Sequence, residues 1–278
     1  MVDKFFLAEM IQLIYKIPTT FLMILSVYVI LKEIRKNNVH LNKQFFLIIV
    51  YKLVNEIIFI ITYYVLIKLP KFGFFKNFFE ENNWVARLFH VLAVQQTIFM
   101  FLITFLVSVN RYVAVIYPTK YNYYFSKSNM TKVLVFFIML STLIGLGTIP
   151  FKPVYGMFDF AGSFIPYYTI KEVVYYQIFY TTFLLGTVSI ATFIFNIKAI
   201  LELKKHKNIV NYYKREIIYI MYSIFIFITL SVVEAIHVIK IVAMQYNINI
   251  LFYITVYYYN WAFDLPSLGD FYFLFYSR

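Results

Sequence analysis

Apolar residues follow one another in long runs along this chain, and short polar segments separate the runs. Seven runs reach the roughly 20 residues that a helix needs to cross a bilayer. They predict spanning helices near residues 11–31, 45–67, 85–109, 133–151, 176–197, 217–243 and 251–275. The pattern therefore predicts an all-α integral membrane protein in which residues 1–278 form a single seven-transmembrane domain.

The composition supports a membrane protein. Hydrophobic residues make up 62% of the chain and charged residues 14%, against about 45–50% and about 25% in soluble domains. So little polar surface cannot cover a water-soluble globule of this size. The chain has no cysteine, which excludes disulfides, cysteine-ligated metal sites and thiol nucleophiles.

The basic residues predict an orientation. The loops after the first, third and fifth predicted spans, taken with the C-terminus, hold 15 Lys and Arg residues against three acidic residues, and the opposite side holds eight against six. Because basic loops stay in the cytoplasm, we expect an outside N-terminus and a cytoplasmic C-terminus. The basic residues behind the net charge of +12 are therefore expected to contact membrane lipids and cytoplasmic partners. We expect no binding of nucleic acid. The sequon at Asn129 would lie in the cytoplasm and carry no glycan.

A basic motif closes the third predicted span. It reads Arg-Tyr-x-x-Val-x-x-Pro-x-x-Tyr and begins at Arg111. The planar guanidinium can make several directed hydrogen bonds, within the bundle in one state and to a partner's backbone carbonyls in another. The alternative interpretation is a positive anchor at the membrane boundary.

In a seven-span chain this motif resembles that of the rhodopsin-like G-protein-coupled receptors, particularly the nematode serpentine chemoreceptors of class gamma. Other matching segments are Tyr15–Thr19, Phe45–Val50, Lys68–Pro70, Phe89–His90, Ser108–Arg111 and Asp264. The resemblance implies an olfactory type of receptor that binds a small molecule in the outer half of the bundle and signals to a heterotrimeric G protein. It implies a plasma-membrane location, with a sensory cilium as one site. The coupling switch that it implies consists of Asn110, Arg111, Tyr112, Pro118 and Tyr121.

The basic loop at residues 201–215 is expected to contact this G protein, anionic membrane lipids, or both. Three departures from the rhodopsin-like pattern bear on activation. There is no cysteine pair to tie the third span to the second outer loop, so packing alone is expected to hold that loop. The sixth span has no proline, and the seventh reads Asp264-Leu265-Pro266 in place of a clean Asn-Pro-x-x-Tyr.

Polar residues inside the predicted spans suggest an intramembrane network. Asn55 and Glu56 lie near the middle of the second span, and Asp264 lies at comparable depth in the seventh. Ionisable residues at such positions usually face the bundle interior. The two carboxylates could bind a cation or share a proton. We favour the alternative, a hydrogen-bonded structural network that ties the two spans together.

A second polar group predicts a ligand pocket. Glu234, His237 and Lys240 are spaced i, i+3 and i+6 in the sixth span and share a broad helix face. They either anchor a polar ligand or satisfy one another as a ladder, with Lys240 reaching outward. A few placed polar groups in apolar surroundings are typical of ligand pockets. The candidate pocket comprises Gln95, Gln96, Tyr176, Tyr180, Glu234, His237 and Lys240.

The sequence does not favour an enzyme, because it contains no known catalytic motif, and it implies no cofactor and no metal. A retinal pump is disfavoured because the seventh span has no lysine. The main alternative to a receptor is a transporter or channel for a small solute or ion. Transporters usually show repeat symmetry with paired helix breaks, and this chain shows neither.

Overall fold

The structure is a computed structural model that describes residues 2–36, 43–158, 163–205, 210–246, 248–269 and 271–272. Within these ranges the fold is a bundle of long helices with one small β-hairpin at one end. We call the two ends of the bundle the Arg111 end and the hairpin end.

Seven long helices, here α1 to α7, lie in the described part of the chain. Helix α1 is Val2–Arg35, α3 is Asn83–Ile116, α4 is Lys127–Leu146 and α6 is Val210–Gln245. The other three contain π-helical turns. Helix α2 consists of Lys43–Tyr63, the π-helical turn Tyr64–Lys68 and a last α-helical turn Leu69–Lys71. Helix α5 consists of Val173–Ile178, the π-helical segment Phe179–Leu185 and Gly186–Lys205, and α7 consists of Asn249–Asp264 and the π-helical turn Leu265–Gly269.

The first six predicted spans are long and apolar enough to cross a membrane. The candidate spans run over Met10–Arg35, Lys43–Lys71, Asn83–Ile116, Lys127–Phe151, Val173–Lys205 and Ile220–Ala243. The seventh predicted span begins as helix α7, and its last predicted residues, 273–275, lie outside the described residues. The protein is therefore an all-α, multi-pass membrane protein.

Helix α3 lies at the centre of the bundle and packs against α2, α4, α5 and α6. Its buried side chains, such as Ile98, Ile103 and Val107, are completely enclosed. They belong to one continuous apolar core that also contains Phe45 of α2 and Tyr222 of α6. The central position of α3 brings residues along its whole length into contact with neighbouring helices.

The hairpin pairs strand β1, Pro153–Phe158, antiparallel to strand β2, Ser163–Tyr168. Tyr155 packs its ring 4.8 Å from that of Phe79, and its hydroxyl donates a hydrogen bond of 2.7 Å to the carbonyl oxygen of Leu66 in α2. Burial raises the pKa of the Tyr155 phenol above its ordinary value. The expectation that packing alone holds this loop is therefore incomplete, because a buried hydrogen bond also ties the hairpin to α2.

A glycine near the end of α4 allows this helix to pack closely against α3. The α-helix ends at Leu146, and a 3-10 turn follows at Ile149–Phe151. Gly145 lies so close to α3 that a β-carbon there would come within 2.6 Å of the backbone oxygen of Val91. The backbone of α3 cannot move away as a flexible side chain would, so this contact requires glycine.

We predict that Gly145→Ala lowers the free energy of unfolding by about 1–3 kcal/mol, because overpacking forces α3 and α4 apart. Gly186→Ala is the matched control: a β-carbon there would meet only the end of the Glu234 side chain, at 3.3 Å. Both changes replace a glycine in a helix by alanine, which by itself favours the helix, so a loss of stability in Gly145→Ala reports the clash. Thermal unfolding of the purified variants measures it, and equal melting temperatures would contradict the close packing.

Candidate functional site

Arg111 is completely enclosed at its end of the bundle. Its exposed fraction is 0%, and its guanidinium carbon lies 4.1 Å from the centre of the Phe45 ring. It donates a hydrogen bond to the side-chain oxygen of Asn110, and the Asn110 amide donates to the Tyr121 hydroxyl at 2.8 Å. The structure therefore brings Asn110, Arg111 and Tyr121 together, and places the guanidinium inside the protein, away from the lipid.

The other two residues of the predicted coupling switch lie beside this group. The Tyr112 ring packs 5.0 Å from that of Phe195 and so faces α5. Pro118 is exposed and begins the 3-10 turn Pro118–Lys120 that follows α3. The motif is thus divided between a buried polar group and an exposed turn.

The sequence analysis did not identify two aromatic residues of this site: Phe45, which contacts Arg111, and Tyr222, which contacts Phe45. Phe45 lies in the first turns of α2 and packs edge-on against Tyr222 of α6, with ring centres 6.3 Å apart. Phe45 thus lies between the guanidinium and α6, where its ring attracts the cation through a cation–π interaction. In a chain with 33 Phe and 27 Tyr, spacing alone gives no signal that distinguishes these two rings.

One helical turn from Arg111, a serine relay connects three helices. The Ser223 hydroxyl of α6 donates to the side-chain oxygen of Asn196 in α5 at 2.7 Å. The Ser108 hydroxyl of α3 lies 2.7 Å from the Ser223 hydroxyl and can donate to it, and the backbone oxygen of Thr104, at 3.2 Å, is the second acceptor within reach of the same proton. All three side chains are buried. We call Ser108, Ser223 and Asn196 the serine relay; it ties α3, α5 and α6 near the Arg111 end.

The buried carboxylates of the predicted network each pair with a lysine. Glu56 contacts Lys52 at 2.8 Å within α2, and Asp264 contacts Lys16 of α1 at 2.6 Å. Asn55 turns to α3 and donates to the backbone oxygen of Gln96 at 3.1 Å. The three residues therefore belong to separate contacts, and neither lysine was part of the predicted network.

Further groups surround the Asp264 pair. The Tyr15 hydroxyl donates to Asp264, and Lys16 lies 5.8 Å from the centre of the Tyr63 ring. Lys68 lies 5.6 Å from the same ring and is close enough to Asp264 to interact with its carboxylate electrostatically. This cluster ties α1, α2 and α7 together.

The predicted pocket residues on α3 and α5 face different neighbours. Gln96 donates to the Thr62 hydroxyl of α2 at 3.3 Å, whereas Gln95 lies beside Gly145 of α4. The Tyr176 hydroxyl donates to the backbone oxygen of Ile144 in α4 at 2.5 Å, and the buried Tyr180 packs edge-on against Tyr176. Gln95 and Tyr176 therefore both lie against residues 144–147 at the end of α4, with Tyr180 beside Tyr176, whereas Gln96 faces α2.

Three basic side chains do gather near the hairpin end. Lys240 of α6 lies within electrostatic range of His237 and of His90 in α3. The His90 ring packs 4.0 Å from that of Tyr168 in strand β2, beneath the hairpin. Glu234 accepts a hydrogen bond of 2.7 Å from Ser189 of α5. His90 was missed as a site residue because nothing in its sequence neighbourhood shows that it approaches Lys240.

We predict that Ser223→Ala lowers the free energy of unfolding by about 1–3 kcal/mol, because it leaves the Asn196 oxygen and the Ser108 hydroxyl buried without this partner. Ser231→Ala on the same helix is the control, since the Ser231 hydroxyl bonds only the Phe227 oxygen of its own helix; its loss is expected within about 0.5 kcal/mol. Thermal unfolding compares the two, and a Ser231 effect as large as that of Ser223 would contradict the relay.

Comparison with known proteins supplies the family. No curated protein sequence matches the chain. A family model described as Srg family chemoreceptor matches residues 9–275, nearly the whole length. The resemblance to class gamma serpentine chemoreceptors is thereby confirmed, and with it a membrane chemosensory receptor. The chain belongs to the Srg family of chemoreceptors.

Proposed function

We propose that this protein is a G-protein-coupled chemosensory receptor of seven transmembrane helices in the plasma membrane, including that of sensory cilia. In this proposal the Arg111 end faces the cytoplasm and the hairpin end faces outward. The observation that carries the proposal is the enclosed Arg111, held by Asn110 and covered by Phe45 at the end of the central helix. A buried guanidinium held by a side-chain amide oxygen and an aromatic ring can exchange these contacts for the backbone carbonyls of a protein partner.

Activation in this proposal is a shift between two arrangements of the bundle. In the described arrangement Phe45 covers Arg111 and packs against Tyr222, and the serine relay ties α3, α5 and α6. A G protein reaches Arg111 only when these contacts open. A ligand that favours the open arrangement therefore promotes coupling without touching Arg111.

Helix α6 offers a direct connection between the two ends. It carries His237 and Lys240 near the hairpin end and Tyr222 and Ser223 near the Arg111 end. His237 lies 14 residues after Ser223, a distance of about 21 Å along the helix. Because no proline interrupts α6, a ligand that displaces its outer part moves Tyr222 and Ser223 with it as one body. This supports a small-molecule site around His90, His237 and Lys240.

The transporter or channel alternative requires buried charges that are available to a solute. Glu56 and Asp264 are instead each engaged by a lysine, which makes them poor ligands for a passing cation. The receptor proposal therefore predicts that the protein transports no solute or ion. The G-protein assay described below is combined with a measurement of solute and ion flux.

For the orientation, we expect an N-terminal tag to be accessible on intact cells and a C-terminal tag only after permeabilisation. We also expect the Asn129 sequon to carry no glycan, because the proposal places the start of α4 in the cytoplasm. Tag accessibility and glycosidase treatment measure this. A sugar on Asn129 would reverse the orientation.

For coupling, we expect Arg111→Ala to abolish recruitment of G-protein α subunits, measured with a panel of engineered α subunits in cells. Arg87→Ala is the matched control, because Arg87 is an exposed arginine near the other end of the same helix. It is expected to leave recruitment unchanged. Surface staining of an N-terminal tag confirms that both variants insert.

Equal recruitment by wild type and Arg111→Ala would contradict the role of Arg111. Solute or ion flux in the same cells, lost on changing Glu56 or Asp264, would replace the receptor proposal with the transporter.

A further inference from the structure

The Lys52–Glu56 pair is among the most deeply buried polar contacts in the described part of the chain. The side chains are 1% and 2% exposed, and the Lys52 nitrogen lies 2.8 Å from a Glu56 oxygen. The same nitrogen donates to the backbone oxygen of Pro266 in α7 at 3.4 Å. An ammonium has three donors, so one lysine can bind both oxygens. Lys52 therefore connects α2 to α7.

The oxygen on α7 lies in an irregular turn. Pro266 belongs to the π-helical turn Leu265–Gly269. A π-helical turn interrupts the regular α-helical hydrogen bonds, and side chains of neighbouring helices commonly satisfy backbone groups at such irregular turns. The turn therefore presents a backbone oxygen toward α2 at the level of Glu56.

A carboxylate and a backbone carbonyl are the kind of oxygen ligands that hard metal cations prefer. A buried carboxylate also requires a counter-charge, because ionised groups in apolar surroundings are costly when unpaired. The second oxygen of Glu56 has no hydrogen-bond partner among the described residues. The Lys52 ammonium is thus the cation toward which these oxygens converge.

We propose that Lys52 is a tethered cation: its ammonium occupies an internal site between α2 and α7 that would otherwise hold a monovalent cation, so this protein needs no sodium ion there. A cation that is part of the chain cannot dissociate. The bond between α2 and the Pro266 turn is therefore independent of the salt composition of the medium. This inference does not depend on coupling to a G protein.

The chain contains a matched pair for comparison. Lys76 and Glu80 have the same i, i+4 spacing, but their nitrogen and oxygen are 3.6 Å apart and the side chains are 45% and 47% exposed. Such an exposed pair contributes little, because water already solvates both charges. Lys76→Ala therefore controls for the loss of a lysine from a helix without the loss of a buried cation.

The experiment measures the melting temperature of the purified protein in sodium chloride and in choline chloride at equal chloride concentration. We expect the melting temperature of the wild type to be the same in both salts, and we expect the same of Lys76→Ala. We expect Lys52→Ala to melt roughly 5 °C or more below the wild type in choline, because it leaves a buried carboxylate unpaired. Sodium or methylammonium should restore much of this loss as each fills the vacated space.

The choice of ions tests the chemistry of the site. Choline carries a positive charge but no N–H donor and is too large, so it should not rescue. The double variant Lys52→Ala/Glu56→Gln should lose all dependence on the cation, because it removes the charge that attracts one. Lys52→Ser repeats the test, should Lys52→Ala fail to fold, because it keeps a donor near the helix backbone and still vacates the space of the ammonium.

Two results would overturn the proposal. One is a saturable stabilisation of the wild type by sodium that Glu56→Gln removes, since the site would then bind an external cation beside Lys52. The other is a folded Lys52 variant whose melting temperature responds to neither sodium nor methylammonium, since Glu56 would then require no cation at all.

Discussion

A charge buried among these helices must be stabilised by neighbouring helices, because the surrounding lipid and apolar side chains offer no water. The described structure meets this constraint by connecting helices through charges. Lys16 of α1 pairs with Asp264 of α7, Lys52 of α2 reaches the Pro266 oxygen of α7, and Arg111 of α3 lies against Phe45 of α2. The positions of α1, α2, α3 and α7 relative to one another thus follow from where their charges can be satisfied.

The sequence predicts some of this and not the rest, for a physical reason. Six spans follow from the length of the apolar runs, which the bilayer thickness sets directly. Which residues surround Arg111, Glu56 and Asp264 depends on the rotation of each helix about its own axis. The sequence does not define that rotation, because the helices are apolar on nearly all sides and only weakly amphipathic. Asn55 illustrates this: it adjoins Glu56 in sequence, yet it bonds α3 while Glu56 pairs within α2.

The hairpin could not be anticipated either, since nothing in the apolar runs distinguishes residues 153–168 from an ordinary loop. The chain has no cysteine, so the hairpin is attached without a disulfide. Tyr155 attaches it through one hydrogen bond to the Leu66 oxygen and a ring packed on Phe79. Such a bond contributes about 1 kcal/mol, against about 2–4 kcal/mol for a disulfide, so the hairpin end is held by reversible contacts.

The kinds of bond divide the bundle into a firmer and a looser part. Ion pairs hold α1 and α7 together, and a lysine holds α2 to α7. Among the described residues, the Ser223 hydroxyl joins α6 to α5 and α3 through neutral hydrogen bonds, and further along Ser189 of α5 donates to the Glu234 carboxylate of α6. Exchanging the partner of a neutral hydrogen bond costs less free energy than separating a buried ion pair. Helices α5 and α6 are therefore the part that can move in the proposed receptor, while α1, α2 and α7 form the frame against which they move.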